Sequence, residues 1–161
     1  MGGVVPLFRR PGDDHLGHAA LGRRALSDAF DVSVLPFAAL MGLEITYAAP
    51  DRVEGRLVVR PDLCTAGGVL HGGAAMALAD SLGAVGAFLS TPTGMRTTTL
   101  ESKTNFIGGA RAGTTVTAVS TPLHVGRRSS VWTTRVEGEG GKLVAVVTQT
   151  QMTVAQMTVE A

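Results

Sequence analysis

The chain predicts an α+β domain in which a six-stranded antiparallel sheet wraps one long central helix. Two observations lead there. Residues 71–89 form one long segment rich in Ala, Leu and Met and without a β-branched run, which favours helix. On both sides of it the apolar residues repeat with a period of two, as strands require. The helix is apolar nearly all round, so it needs cover on every side, and a sheet curled over it is the economical solution.

Residues 1–35 read as an N-terminal extension, partly helical at 18–30, and residues 36–161 as the domain proper. Pro36 resets the chain, and Phe37–Met41 reads as a short helix stopped by Gly42. Leu43, Ile45 and Tyr47 then alternate with polar or small residues, as do Val53, Gly55, Leu57 and Val59. Pro50-Asp51 makes the turn of that hairpin. A loop over 62–70 leads into the long helix, whose nineteen residues span about 28 Å. Pro92 and Gly94 end it. Strands come next at about 96–107, 113–124, 128–138 and 142–154, with turns at Gly108-Gly109, Gly126 and Gly138–Gly141.

Composition removes several functional classes. The 161 residues are 45% hydrophobic and 17% charged, with a formal net charge of +1. That balance gives no electrostatic reason to capture nucleic acid or an anionic membrane. Aromatic residues make up 4%, too few for a base-stacking platform. One cysteine, Cys64, excludes a disulfide scaffold. The run Val4–Phe8 is broken by Pro6 and is too short for a signal-peptide core. The expectation is a soluble cytoplasmic protein with a reduced thiol.

Asp80 lies in the middle of the apolar helix and needs a reason, because a buried carboxylate is costly without partners. Its neighbours on the same helical face are Met76, Ala77, Gly83 and Ala84, mostly small, which leaves room beside it. Two readings stand: a structural Asp that caps a loop or pairs with an Arg, or a catalytic base or nucleophile in a pocket. His71-Gly72-Gly73 opens the same helix. Glycines there expose backbone N–H groups at the positive end of the helix dipole, where an oxyanion can be held. The plainer alternative is that they ease a tight turn.

Gly68-Val69-Leu70-His71-Gly72-Gly73, followed by Leu78-Ala79-Asp80, resembles the signature of the hotdog-fold acyl-CoA thioesterases of the PaaI, or phenylacetic acid degradation, type. Phe37–Glu44, Thr99–Phe106, Gly126-Arg127-Arg128 and Gly140–Ala145 resemble the family's opening helix and first strand, the strand after the long helix, and the last hairpin. The resemblance covers about residues 36–154. It implies the hotdog fold, dimers often paired into tetramers with active sites across the subunit interface, and hydrolysis of an acyl-CoA. Neither a metal nor a cofactor is implied, since coenzyme A is part of the substrate.

By the same resemblance Asp80 is the catalytic carboxylate, as base or nucleophile, and Gly72 supplies the N–H that polarises the thioester carbonyl. His71 shapes that loop, and Thr99 is a hydroxyl that orients water or the carboxylate from the facing strand. Gly73, Arg127, Arg128, Ser129 and Arg96 are the positions for substrate and its phosphates. One position departs: Thr65 stands where the family has Asn or Gln, and its hydroxyl offers one donor where an amide offers two. A non-catalytic acyl-CoA or acyl-carrier binding module on the same fold is the alternative that this departure suggests. Asp13, Asp14, His15 and His18 also cluster, and read as incidental in a lead-in segment rather than as metal ligands.

Overall fold

The computed structural model describes residues 31–155. The helix expected at 18–30 and the Asp13–His18 cluster lie outside these residues. A 3-10 turn, Val32–Val34, is capped by Asp31, whose Oδ1 accepts from Ser33 N at 2.9 Å. Helix α1, Pro36–Met41, starts on its proline and stops at Gly42. Gly42 sits at φ 76°, a left-handed conformation that favours glycine, and its N–H closes the helix on Ala38 O and Ala39 O.

Strands β1, Leu43–Ala49, and β2, Arg52–Val58, form the expected hairpin. Helix α2 runs from Gly72 to Ser90, and strands β3 (Met95–Phe106), β4 (Thr115–Val125), β5 (Ser129–Glu137) and β6 (Leu143–Ala155) come after it. All six strands join one antiparallel sheet in the order β1-β2-β4-β5-β6-β3. The helix thus leaves beside β2 and delivers β3 to the opposite edge, so that it lies across the concave face between the two.

Strand β3 is not regular. Its register against β6 shifts between Thr99, opposite Gln151, and Glu101, opposite Thr150. Leu100 is the extra residue of a bulge, which bends the strand and re-aims the side chains beyond it.

The core lies between α2 and the sheet. Leu78 and Leu82 are fully buried there, in one cluster with Val53, Val116 and Val136. Each such Leu or Val contributes about 1.5–3 kcal/mol by leaving water. The expectation that α2 is buried on every side is corrected: Ala75, Leu78, Ala79, Leu82 and Val85 are buried, but Met76, Ala77, Asp80, Ser81 and Ala84 are half-buried. An open sheet covers only part of a helix's circumference. The helix is long and apolar enough to cross a membrane by length and composition alone, but 44% of that stretch is buried inside the fold, as in a core helix.

Candidate active site

Asp80 lies on the half-open side of α2, two turns beyond the helix start. One of its carboxylate oxygens, Oδ1, accepts from Thr99 Oγ1 at 3.0 Å and from Gln149 Nε2 at 3.2 Å. Gln149 Nε2 also lies 3.3 Å from the Asp80 backbone carbonyl. Thr99 Oγ1 in turn accepts from Gln151 Nε2 at 2.8 Å. The second carboxylate oxygen, Oδ2, has no partner among the described residues. The structure therefore brings Thr99 to Asp80, and fixes the carboxylate through one oxygen while the other stays open.

Neither glutamine was singled out from the sequence, yet the signal was there. Val147 and Ala145 mark the inward face of β6, and Gln149 and Gln151 continue the same alternation. Both are buried, at 0% and 1% exposure. A polar residue in a core-facing position is the informative exception. The room expected beside Asp80 is correspondingly filled. A Cβ built on Gly83 would stand 2.5 Å from the Gln149 amide carbon. Gly83 and Gly86, one helical turn apart, lower α2 onto Gln149 and Trp132.

At the start of α2, His71 is the N-cap. Its Nδ1 accepts from Gly73 N at 2.9 Å, and its backbone N–H bonds Leu63 O at 2.8 Å. This commits the Gly73 N–H to the cap. The Gly72 N–H finds no acceptor among the described residues, so of the two glycines it is the one whose donor is open. The Phe106 ring lies against Gly72, where a Cβ would meet its Cζ at 2.9 Å.

Thr65 is exposed and sits in a turn, with its carbonyl accepting from Gly68 N at 2.9 Å and its N–H donating to Val69 O at 2.8 Å. No hydrogen bond joins it to Asp80 within the chain. Arg96, Arg127 and Arg128 are exposed, and Ser129 is half-buried. Register places them at one end of the sheet: Arg96 faces Val154, Ser129 faces Met152, and Thr153 N donates to Arg128 O. Among the described residues no group of three or more His, Cys, Asp or Glu side chains is placed to hold a metal ion.

A cleft of about 430 Å³ opens beside the helix start, lined by Phe37, Leu40, Met41, Leu63, His71 and Ala74 among others. Its α1 wall is fixed by Arg60, which donates to Met41 O at 2.7 Å and to Leu40 O at 3.2 Å. Cys64 also borders it, with its thiol 3.2 Å from Arg60 O.

Comparison with known proteins gives the family and the fold. Residues 67–145 match the Thioesterase superfamily. The chain is 33% identical over 103 residues to the 1,4-dihydroxy-2-naphthoyl-CoA hydrolase of Escherichia coli K12, covering 64% of this chain and 75% of that one. Its fold superposes on the thioesterase HI1161 of Haemophilus influenzae with a TM-score of 0.73 and 27% identity, over 84% of this chain and 98% of that one. It also superposes on a mutant of the phenylacetic acid degradation protein PaaI of Thermus thermophilus, with a TM-score of 0.67 and 31% identity, over 73% of this chain and 97% of that one. With its six-stranded antiparallel sheet around one long helix, the chain belongs to the Thioesterase superfamily and is a PaaI-like, hotdog-fold thioester hydrolase.

Proposed function

We propose that the protein hydrolyses an acyl-CoA with a medium-chain or aromatic acyl group to the free acid and coenzyme A, with Asp80 as the reacting carboxylate. The observation that carries this reading is the carboxylate itself, tied by Oδ1 to Thr99 and Gln149 and open at Oδ2 on the uncovered side of α2. As a base, Asp80 takes a proton from water as the water oxygen attacks the thioester carbon. The tetrahedral intermediate then collapses, the C–S bond breaks, and the proton goes to the leaving sulfur. As a nucleophile, Oδ2 attacks the thioester carbon instead, the C–S bond breaks and the thiolate leaves. Water then cleaves the resulting anhydride, which restores the Asp80 carboxylate and supplies the thiolate with its proton.

The Gly72 N–H stabilises the oxyanion of either route. It lies eight residues before Asp80, about 12 Å along the helix axis. Attack requires reacting atoms roughly 3–3.5 Å apart. One chain's Gly72 and its own Asp80 cannot serve the same carbonyl, so the site is completed by a second copy. Strand β3 supports this arrangement. It is an edge strand, and its exposed Leu100, with the neighbouring Phe106 and Ile107, offers a surface for pairing. Dimers of this kind, paired into tetramers, are the proposed assembly.

The cleft beside His71 suits the acyl group in size and in its apolar lining. Arg96, Arg127 and Arg128, with Ser129, are the proposed contacts for the phosphates of the coenzyme A portion, and Gly73, whose N–H is held by His71, is a proposed position of close approach for the substrate.

Thiol release from short, medium, long and aromatic acyl-CoAs tests the reading, with Asp80→Asn beside the wild type. A medium or aromatic thioester is expected to turn over, and Asp80→Asn to lose at least about 100-fold in kcat, as removal of an acid–base group does. Wild-type rates in Asp80→Asn would refute it. Leu100→Asp, on the β3 edge, is expected to yield monomers that lack activity; active monomers would refute the shared site.

A further inference from the structure

Gln149 and Gln151 are unusual residues for the inner face of a curled sheet. Each is buried, and each leaves its Oε1 without a hydrogen-bond partner. A buried unsatisfied carbonyl is a liability that an apolar residue of the same volume would not carry. In both residues the other end of the amide is engaged, and both engagements lead to Asp80. Gln149 Nε2 reaches the carboxylate directly, at 3.2 Å, and Gln151 Nε2 reaches it through Thr99, at 2.8 Å from the hydroxyl oxygen.

The chemistry fixes the direction of these bonds. An ionised carboxylate only accepts, so the Gln149 group against it is the NH2. The Thr99 hydroxyl has one proton. If Gln151 presented its carbonyl, that proton would be drawn away from Asp80. With the NH2 of Gln151 donating to Oγ1, the hydroxyl proton is left for Oδ1. Both donors then converge on one carboxylate oxygen, and Oδ2 is the one presented outward.

We infer that Gln149 and Gln151 are positioning residues for the hydrolytic reaction: they hold the Asp80 carboxylate in one orientation, Gln149 by direct contact and Gln151 by orienting the Thr99 hydroxyl. The inference rests on the reading of Asp80 as the reacting group. Two further observations fit it. The Gly83 position has no side chain, and the Gln149 amide occupies the space a Cβ would fill. The bulge at Leu100 lies directly after Thr99, where a strand irregularity sets the aim of a side chain.

The test is a mutant cycle on the full chain, with acyl-CoA hydrolysis as the readout and thermal unfolding recorded for each variant. Gln149→Met and Thr99→Val are each expected to lower kcat about 10–100-fold with KM within about two-fold, the pattern of an interaction that matters after substrate is bound. Thr99→Ser, which keeps the hydroxyl, is expected to restore most of the rate. Gln151→Met is expected to cost about 5–30-fold alone and nothing further in the Thr99→Val background, because its path runs through that hydroxyl.

Full kcat in Gln149→Met and Gln151→Met beside an inactive Asp80→Asn would overturn the inference while the Asp80 reading survives. A Gln151→Met loss that multiplies with Thr99→Val would overturn the relay. An active Asp80→Asn would remove both. If Gln149→Met fails to fold, Gly83→Ala tests the same contact from the helix side, since its methyl displaces the amide. Unchanged kcat there would count against the inference.

Discussion

Gly86→Ala separates two opposed effects of one methyl group. In an exposed helix the change would stabilise by about 1 kcal/mol, because glycine loses more backbone freedom on folding. Here the new Cβ would stand 2.5 Å from Trp132 Cη2 and 3.0 Å from its Cε3. Carbon contacts are optimal at about 3.5–4.0 Å, so the indole must retreat by about 1 Å or more. It cannot do so freely. Trp132 is fully buried, and its Nε1 donates to Ser130 Oγ at 3.0 Å. Overpacking of this kind costs about 1–3 kcal/mol, and a rigid, anchored ring places the cost at the upper end. The net expectation is a loss of about 2 kcal/mol, or roughly 6 °C in Tm for a domain of this size. Thermal unfolding at matched protein concentration measures it, since association makes Tm concentration-dependent. A Tm at or above the wild-type value would refute the claim that Trp132 blocks this position.

Other substitutions probe the α1 junction and the surface. Gly42→Ala is expected to cost about 1–2 kcal/mol in backbone strain at φ 76°. Its methyl would also meet Arg60 Nη1 at 2.6 Å and loosen the guanidinium from Met41 O, so a urea midpoint equal to wild type would contradict it. The Arg60 guanidinium hydrogen-bonds Asp62 and holds its carboxyl below the usual carboxylate range. A depressed value means the pairing helps the folded state above the unfolded titration range and is lost as pH falls through the folded value. Arg60→Met is therefore expected to return the Asp62 titration, followed by carboxyl NMR, to the ordinary range; an unmoved midpoint would refute Arg60 as the cause. Glu44→Gln breaks a surface pair with Arg56, 2.6 Å apart and about half exposed on both sides, and is expected to shift stability by under about 1 kcal/mol in chemical denaturation.

The strands and helices were legible because their signals are local. Pro36, Gly42 and Pro92 punctuate the chain, and alternation such as Val53, Gly55, Leu57 shows which side faces the core. Asp80 stood out for the same reason, as a charge in an apolar helix. Its surroundings were not legible, because they are set by contacts distant in sequence. Gln149 and Gln151 meet Asp80 and Thr99 only once β6 lies beside β3 beneath α2. The Gly72-Gly73 pair could be read as a donor site, but not which glycine keeps a free N–H. That is decided by the rotamer of His71, which engages Gly73. Gly83 suggested open space beside Asp80, whereas an amide from the far end of the chain fills it.

The extra residue in β3 gives that strand a phase, much as an inserted base sets a reading frame. Before it, Met95 and Thr97 are the less exposed positions and Thr99, in the same phase, meets Asp80; after it, Ser102 and Thr104 are the less exposed ones. Were Leu100 paired as an ordinary residue, the alternation would turn Glu101, Lys103 and Asn105 away from solvent and onto the helix. Insertion or loss of one residue between Met95 and Thr99 would misplace the Thr99 hydroxyl in the same way. Length variation in this chain is therefore tolerable at its turns, whereas within this strand chain length matters as much as residue identity.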